Sequence, residues 1–171
     1  ARRQRCPVWQ LAGLPLPRPL RTTFTLGAEQ PGAMARRAAQ TPQAQALKLK
    51  LTGETDVDIE RVRAVRAARP DAWLAVDANQ GYVLASIEAL LPVLVAARVE
   101  LLEQPLARGR EADMRLLRSP IPTAADESCL SLAELDRVPG LFDVVNIKLD
   151  KCGGLTEALM IAHQAHASGL K

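Results

Sequence analysis

Trp73-Leu74-Ala75-Val76-Asp77-Ala78-Asn79 is an apolar run that stops abruptly at a carboxylate, a small residue and an amide, with Gly81 close behind. So short a run, closed by polar residues, reads as a buried parallel strand that delivers Asp77 to its C-terminal end. Four other stretches end in the same way: Leu47-Lys48-Leu49-Lys50 presents Lys50, Val99 to Glu103 presents Glu103, Pro122 to Asp126 presents Asp126, and Asp143 to Lys148 presents Lys148. Successive presented residues are 27, 26, 23 and 22 positions apart, each about one strand, one helix and two short loops. Five consecutive βα units therefore carry one charged residue each. In a parallel barrel those ends lie on one face, where the active site of such a barrel is built.

The helices between them are legible from spacing. Pro31 to Ala39 follows a first β-rich strand, Arg21 to Leu26. Asp56 to Ala68 carries Ile59, Val62 and Val65 at helical intervals, has two early acids that suit the helix dipole, and is stopped by Pro70. Val83 to Ala97 is apolar nearly all round, and Pro92 should kink or divide it. Arg110 to Leu117 is a short helix, Ser131-Leu132-Ala133-Glu134 has the capping-box pattern, and Leu155 to Ala167 ends at Ser168-Gly169. A seventh strand is expected to begin at Leu170. The order is βα repeated six times, and right-handed crossovers favour a barrel or an open doubly wound sheet. Residues 1–20, broken by Pro7, Pro15, Pro17 and Pro19, read as a linker or the end of a preceding domain, with no helix expected. Residues 21–171 form the barrel part. Both chain ends look cut.

Composition narrows the function. The 171 residues have the apolar and charged content of a soluble globular protein, and a net charge of +3 comes from scattered arginines rather than a basic block. Nucleic acid is not an expected partner, because the chain offers neither a basic patch nor aromatic stacking platforms. No apolar run approaches membrane-spanning length. Cys6, Cys129 and Cys152 show no paired spacing and read as reduced thiols of a cytoplasmic protein. His163 and His166 read as surface residues, and neither sits near a cysteine to activate it.

Three carboxylates from neighbouring strand ends, Asp77, Glu103 and Asp126, converge only if something offsets their repulsion. A hard divalent cation does so, and Mg²⁺ takes carboxylates while keeping positions for a substrate. Asn79 and Gln104 are placed as donors that orient those ligands. Lys48 and Lys50, two apart, point to the same side of their strand, into the barrel if Leu47 and Leu49 pack outward. A neighbouring ammonium disfavours a second charge, so Lys48 is expected to depress Lys50 and make it a better base. Lys148 approaches from the other side. Each feature has a plainer explanation alone: a strand-end Asp is often a helix cap, and Lys-x-Lys often protects a sheet edge. Glu127 is an alternative to Asp126, and Lys151 to Lys148. One site explains all five positions together better than five separate accidents.

Lys48-x-Lys50, Asp77-Ala78-Asn79, Glu103-Gln104-Pro105, Ala125-Asp126-Glu127-Ser128 and the run Asn146 to Gly154 resemble, in order, the motifs of the enolase superfamily. The likeness is to its muconate-lactonising branch, and within it to the dipeptide epimerases. That resemblance implies an α/β fold with an incomplete TIM-type (β/α) barrel of about six units, preceded elsewhere by a capping domain. It implies Mg²⁺ on Asp77, Glu103 and Asp126, with Lys50 and Lys148 as the two acid/base groups and Lys48 and Thr23 on the substrate side. The implied reaction removes the proton α to a carboxylate through an enediolate, with epimerisation of L-Ala-D/L-Glu dipeptides favoured. Muconate cycloisomerisation, o-succinylbenzoate synthesis and N-acylamino acid racemisation use the same machinery. The implied partners are a small carboxylate, a dipeptide in the favoured case, and further copies of the chain in a homo-oligomer. Two readings of other kinds remain open: a catalytically silent, metal-binding fragment, and a Schiff-base aldolase on Lys148, which three converging acids would serve poorly.

Overall fold

The computed structural model describes residues 1–171. Six strands form one parallel sheet: β1 (Phe24–Leu26), β2 (Ala46–Lys50), β3 (Trp73–Asp77), β4 (Leu101–Glu103), β5 (Thr123–Ala125) and β6 (Val144–Val145). They are hydrogen-bonded in the order β1-β2-β3-β4-β5-β6, every pair parallel. A doubly wound sheet reverses its order at a switch point, and this one never does, so the barrel-type winding holds. Beyond β6, Val145 N–H donates to Lys171 O at 2.9 Å and Lys171 N–H to Asp143 O at 3.0 Å. The chain therefore runs alongside β6 where a seventh strand is expected.

The helices are α1 (Val8–Leu11), α2 (Pro31–Ala39), α3 (Thr55–Ala68), α4 (Leu84–Ala96) and α5 (Leu155–Ala167). All but the first pack on the outer face of the sheet. Strand alternation sorts the side chains: Leu47, Leu49, Leu74, Val76, Leu102 and Ala125 point outward into one apolar core with Val62, Val65, Ile87, Leu90, Leu94 and Ile161 of the helices. The alternate positions carry Lys48, Lys50, Asp77 and Glu103 on the inner face. Cys6, Cys129 and Cys152 are all free. No helix is long and apolar enough to cross a membrane.

Four local expectations change. A single helical turn forms at Val8–Leu11 despite the surrounding prolines, with Pro7 at its N-cap, where a missing N–H costs nothing. Pro92 neither ends nor divides α4. The proline and Glu88, whose carbonyl it leaves unbonded, both face solvent, while Ile87, Leu90, Leu91 and Leu94 hold the helix to the core. Glu111–Arg115 and Leu132–Arg137 are 3-10 turns rather than α-helices. The capping box does not close, because Glu134 receives the Leu130 N–H at 2.8 Å and pairs with Arg108.

Candidate active site

Register assembles the site. Lys50 pairs with Asp77 and Asp77 with Glu103, so three strand ends stand side by side. Glu103 is level with Ala124, and Asp126, two residues on, points to the same inner face just past the end of β5. Asp77, Glu103 and Asp126 are buried, and one carboxylate oxygen from each lies within 4.8 Å of the others. Of Asp126 and Glu127, it is Asp126 whose carboxylate joins this cluster, on the side that strand alternation gives it.

Lysines close on this cluster from two sides. On the β2 side, Lys48 Nζ lies 2.8 Å from Asp77 Oδ2 and 2.7 Å from Glu103 Oε2, while Lys50 Nζ lies 2.6 Å from Asp77 Oδ2. On the β6 side, Lys148 Nζ pairs with Asp126 Oδ2 and Lys151 Nζ lies 2.8 Å from Asp126 Oδ1. Both candidates for the second acid/base group thus share one carboxylate. Backbone and amide donors complete the cluster: Asn79 N–H donates to Asp77 Oδ1 at 3.0 Å, and Asn146 Nδ2 to Glu103 Oε1 at 2.9 Å.

The electrostatics follow from burial set against these partners. Burial alone would push Asp77 and Asp126 up, but the lysines on each outweigh it and hold both carboxyls below the ordinary aspartate range. Glu103 goes the other way, raised by burial and by the Asp77 charge against the pull of Lys48 and Asn146. Burial opposes the charge on Lys48, yet Asp77 and Glu103 more than compensate and raise its pKa. An ammonium stabilised in this way is a fixed positive charge between Asp77 and Glu103.

Three sequence-based placements are corrected. Thr23 is not part of the cluster: it lies one residue before β1, at the N-terminal end of the sheet, exposed in a cleft with Arg21, Thr41, Gln43 and Gln45. The residue level with Lys48 is Thr25. Asn79 contributes its backbone N–H, and its side chain is exposed. Gln104 touches none of the three clustered carboxylates. Its Nε2 donates to Leu106 O and Ser128 Oγ, and its Oε1 accepts the N–H groups of Asp126 and Ser128 at 2.9 and 3.1 Å. All its polar atoms are used in stapling the ends of β4 and β5 together, which also fixes Gln104 itself at a left-handed φ of 39°.

Two further contributors carried no recognisable signal in the sequence. Asn146 sits among the motif residues but only the fold brings it to Glu103. Asp58, read as a dipole partner in the first turn of α3, is fully buried and accepts Thr52 N–H at 3.0 Å, Gly53 N–H at 2.9 Å, Arg61 Nη1 at 2.7 Å and the Tyr82 hydroxyl at 2.6 Å. It ties the turn after Lys50 to the turn after Asp77. Those turns touch backbone to backbone, since a Cβ on Gly53 would stand 2.1 Å from Gly81 O.

The donor set suits a hard cation. Octahedral Mg²⁺, with bonds of about 2.1 Å, spaces its ligands about 3–4 Å apart, so oxygens up to 4.8 Å apart need only a small contraction. Three buried carboxylates converging on one point offer the hard oxygen donors that such an ion takes, although lysines neutralise them here.

Known proteins are similar to this chain in sequence and fold. The L-Ala-D/L-Glu epimerase of Escherichia coli strain K12 is 40% identical over 169 residues, 99% of this chain and 53% of the epimerase. The crystal structure of an N-succinyl Arg/Lys racemase from Bacillus cereus superposes with a TM-score of 0.93 at 31% identity, covering 99% of this chain and 48% of the racemase. A dipeptide epimerase from Enterococcus faecalis V583, solved with Mg and the dipeptide L-Leu-L-Tyr, gives a TM-score of 0.85 at 33% identity over 88% of this chain and 44% of its own. The chain spans about half the length of these relatives. Residues 32–171 match the family described as Enolase C-terminal domain-like. With strands wound in sequence order and acids on three successive strand ends, the chain belongs to that enolase C-terminal domain-like family.

Proposed function

We propose that this chain carries the proton-transfer centre of a Mg²⁺-dependent epimerase or racemase acting on the carbon α to a carboxylate, with L-Ala-D/L-Glu dipeptides the favoured substrates. The observation that carries the reading is the buried triad of Asp77, Glu103 and Asp126 with lysines on both of its flanks. Bound Mg²⁺ would supply Lewis acidity to the substrate carboxylate, acidifying the adjacent C–H.

The chain's own groups do the rest. Asp77, Glu103 and Asp126 hold the ion, with Asp77 and Glu103 oriented by Asn79 N–H and Asn146 Nδ2. Lys48, a stable cation between Asp77 and Glu103, offsets negative charge that develops on the substrate carboxylate. Lys50 Nζ and Lys148 Nζ, on opposite flanks, take the α-proton from one face and return one to the other. The same groups would serve racemisation of an N-acylated amino acid, and the likeness to the Bacillus cereus racemase favours that as the second reading. The small-molecule partner, the cytoplasmic location and assembly into a homo-oligomer belong to the same proposal.

Incubation with a panel of L-Ala-L-Xaa dipeptides and N-succinyl and N-acetyl amino acids, read by chiral chromatography, separates the two. Epimerisation of L-Ala-L-Glu in preference to the N-acylated amino acids supports the first reading, and the reverse order supports the second. Turnover of neither class overturns both.

A further inference from the structure

The two lysines on Asp126 are not equivalent. Lys148 has Asp126 as its one carboxylate partner, whereas Lys151 also stands 3.8 Å from Glu127 Oε1. Glu127 follows Asp126 in the chain, and Arg108 Nη1 fixes its backbone by donating to the Glu127 carbonyl at 3.1 Å. Its other carboxylate oxygen, Oε2, is buried with no hydrogen-bond partner. A desolvated carboxylate oxygen without a donor is costly, so this group has unused capacity for a cation. An ammonium moving from 2.8 Å off Asp126 need close only about 1 Å to reach hydrogen-bonding distance of Glu127.

Asp126 needs such an outlet. Both its oxygens face ammonium groups, and a divalent ion on the same carboxylate would be repelled by each. We propose that Glu127 is a positioning residue that receives Lys151 when Asp126 binds the metal, leaving Asp126 to the ion and Lys148 as the lysine that faces the substrate. This inference rests on the metal site proposed above and assigns different roles to Lys148 and Lys151. Lys151 is the exchangeable counter-ion of Asp126 and Glu127, and Lys148 moves the proton.

The test is Mg²⁺ affinity, measured by calorimetry on the full chain without substrate, for the parent, Glu127→Gln, Lys151→Met and the double variant. With its acceptor weakened, Lys151 stays on Asp126, so Glu127→Gln binds Mg²⁺ about tenfold more weakly, within the range usual for coupled sites. Lys151→Met binds at least as tightly as the parent. The double variant returns to within about twofold of Lys151→Met, because a residue acting through Lys151 has no effect once Lys151 is gone. A role confined to local packing would instead weaken both backgrounds equally, and that result, or unchanged affinity in Glu127→Gln, overturns the proposal. A folded parent chain that binds no Mg²⁺ refutes the metal site itself and this inference with it, whereas the failure of Glu127 alone leaves the metal site standing.

Discussion

Replacing Asp58 by alanine tests how the scaffold holds the site. Its carboxylate has no exposure and accepts two backbone N–H groups, the Arg61 guanidinium and the Tyr82 hydroxyl. Breaking one member of a buried ion pair costs about 3–5 kcal/mol, and each further buried donor left unpaired adds about 1–3 kcal/mol unless water replaces the carboxylate. Arg61 keeps Thr52 Oγ1 and Glu29 O as acceptors, at 2.8 Å each, and the vacated space admits water. A net loss of about 5 kcal/mol is therefore expected, which lowers the midpoint of thermal unfolding by about 10–20 °C for a chain of this size. Urea unfolding followed by circular dichroism measures it, and Asp58→Ala in a Tyr82→Phe background should cost clearly less than in the parent, since the phenol is no longer there to be stranded. A loss below about 1 kcal/mol, or full additivity with Tyr82→Phe, would refute the reasoning, because it would mean that the four donors are satisfied without Asp58.

Three other outcomes follow from the same geometry. Gly53→Ala places a methyl group 2.1 Å from Gly81 O at a φ of +90°, so the turns after β2 and β3 must separate; a loss of more than about 3 kcal/mol is expected in urea unfolding, against a few tenths for Gly109→Ala controls corrected for the same φ. Tyr82 is the sole tyrosine, and burial together with Asp58 pushes its pKa far above the usual value of about 10. A raised folded pKa contributes stability that is complete below pH 10 and is lost as pH rises beyond it, while the unfolded phenol ionises. Absorbance at the tyrosinate band should thus rise near pH 10 in denaturant but only with unfolding in the native chain, and ionisation of a still-folded chain near pH 10 would contradict the burial of this hydroxyl. Gln104→Leu strands the Asp126 and Ser128 N–H groups and should both destabilise the chain by about 2–4 kcal/mol and weaken Mg²⁺ binding by calorimetry, whereas unchanged metal affinity would show that the staple does not position Asp126.

Much of this site is local in the sequence, and the rest depends on contacts between distant elements. Lys50, Asp77, Glu103, Asp126 and Lys148 each end an apolar run, so strand alternation and an even spacing suffice to put them on one face. The choice between a barrel and a doubly wound sheet is different in kind. Both use right-handed βα units, and only the hydrogen-bonded order of the strands distinguishes them. Thr23 is misplaced because a β-rich stretch gives a strand's presence but not its register: Thr25 stands level with Lys48, and Thr23 precedes β1 at the opposite end of the sheet from the acids. Gln104 and Asp58 are polar residues beside the right elements, yet the contacts by which each ties two strand ends together, Asp126 and Ser128 for Gln104 and Tyr82 for Asp58, lie 22–24 positions away, beyond any periodicity. Pro92 shows the reverse case, where a strong local rule yields to packing because the carbonyl it frees meets water.

The central claim is that Lys50 and Lys148 exchange the α-proton of a carboxylate held at the triad. The direct measurement is deuterium incorporation at the α-carbon of the glutamyl residue of L-Ala-L-Glu and L-Ala-D-Glu in D₂O, followed by proton NMR with Mg²⁺ and after chelation. The account predicts exchange that requires Mg²⁺ and falls by at least about 100-fold in Lys50→Ala and in Lys148→Ala, each variant losing chiefly the epimer whose α-proton its lysine faces. Exchange of the same epimer surviving in both variants, or exchange that proceeds unchanged after chelation, would contradict it.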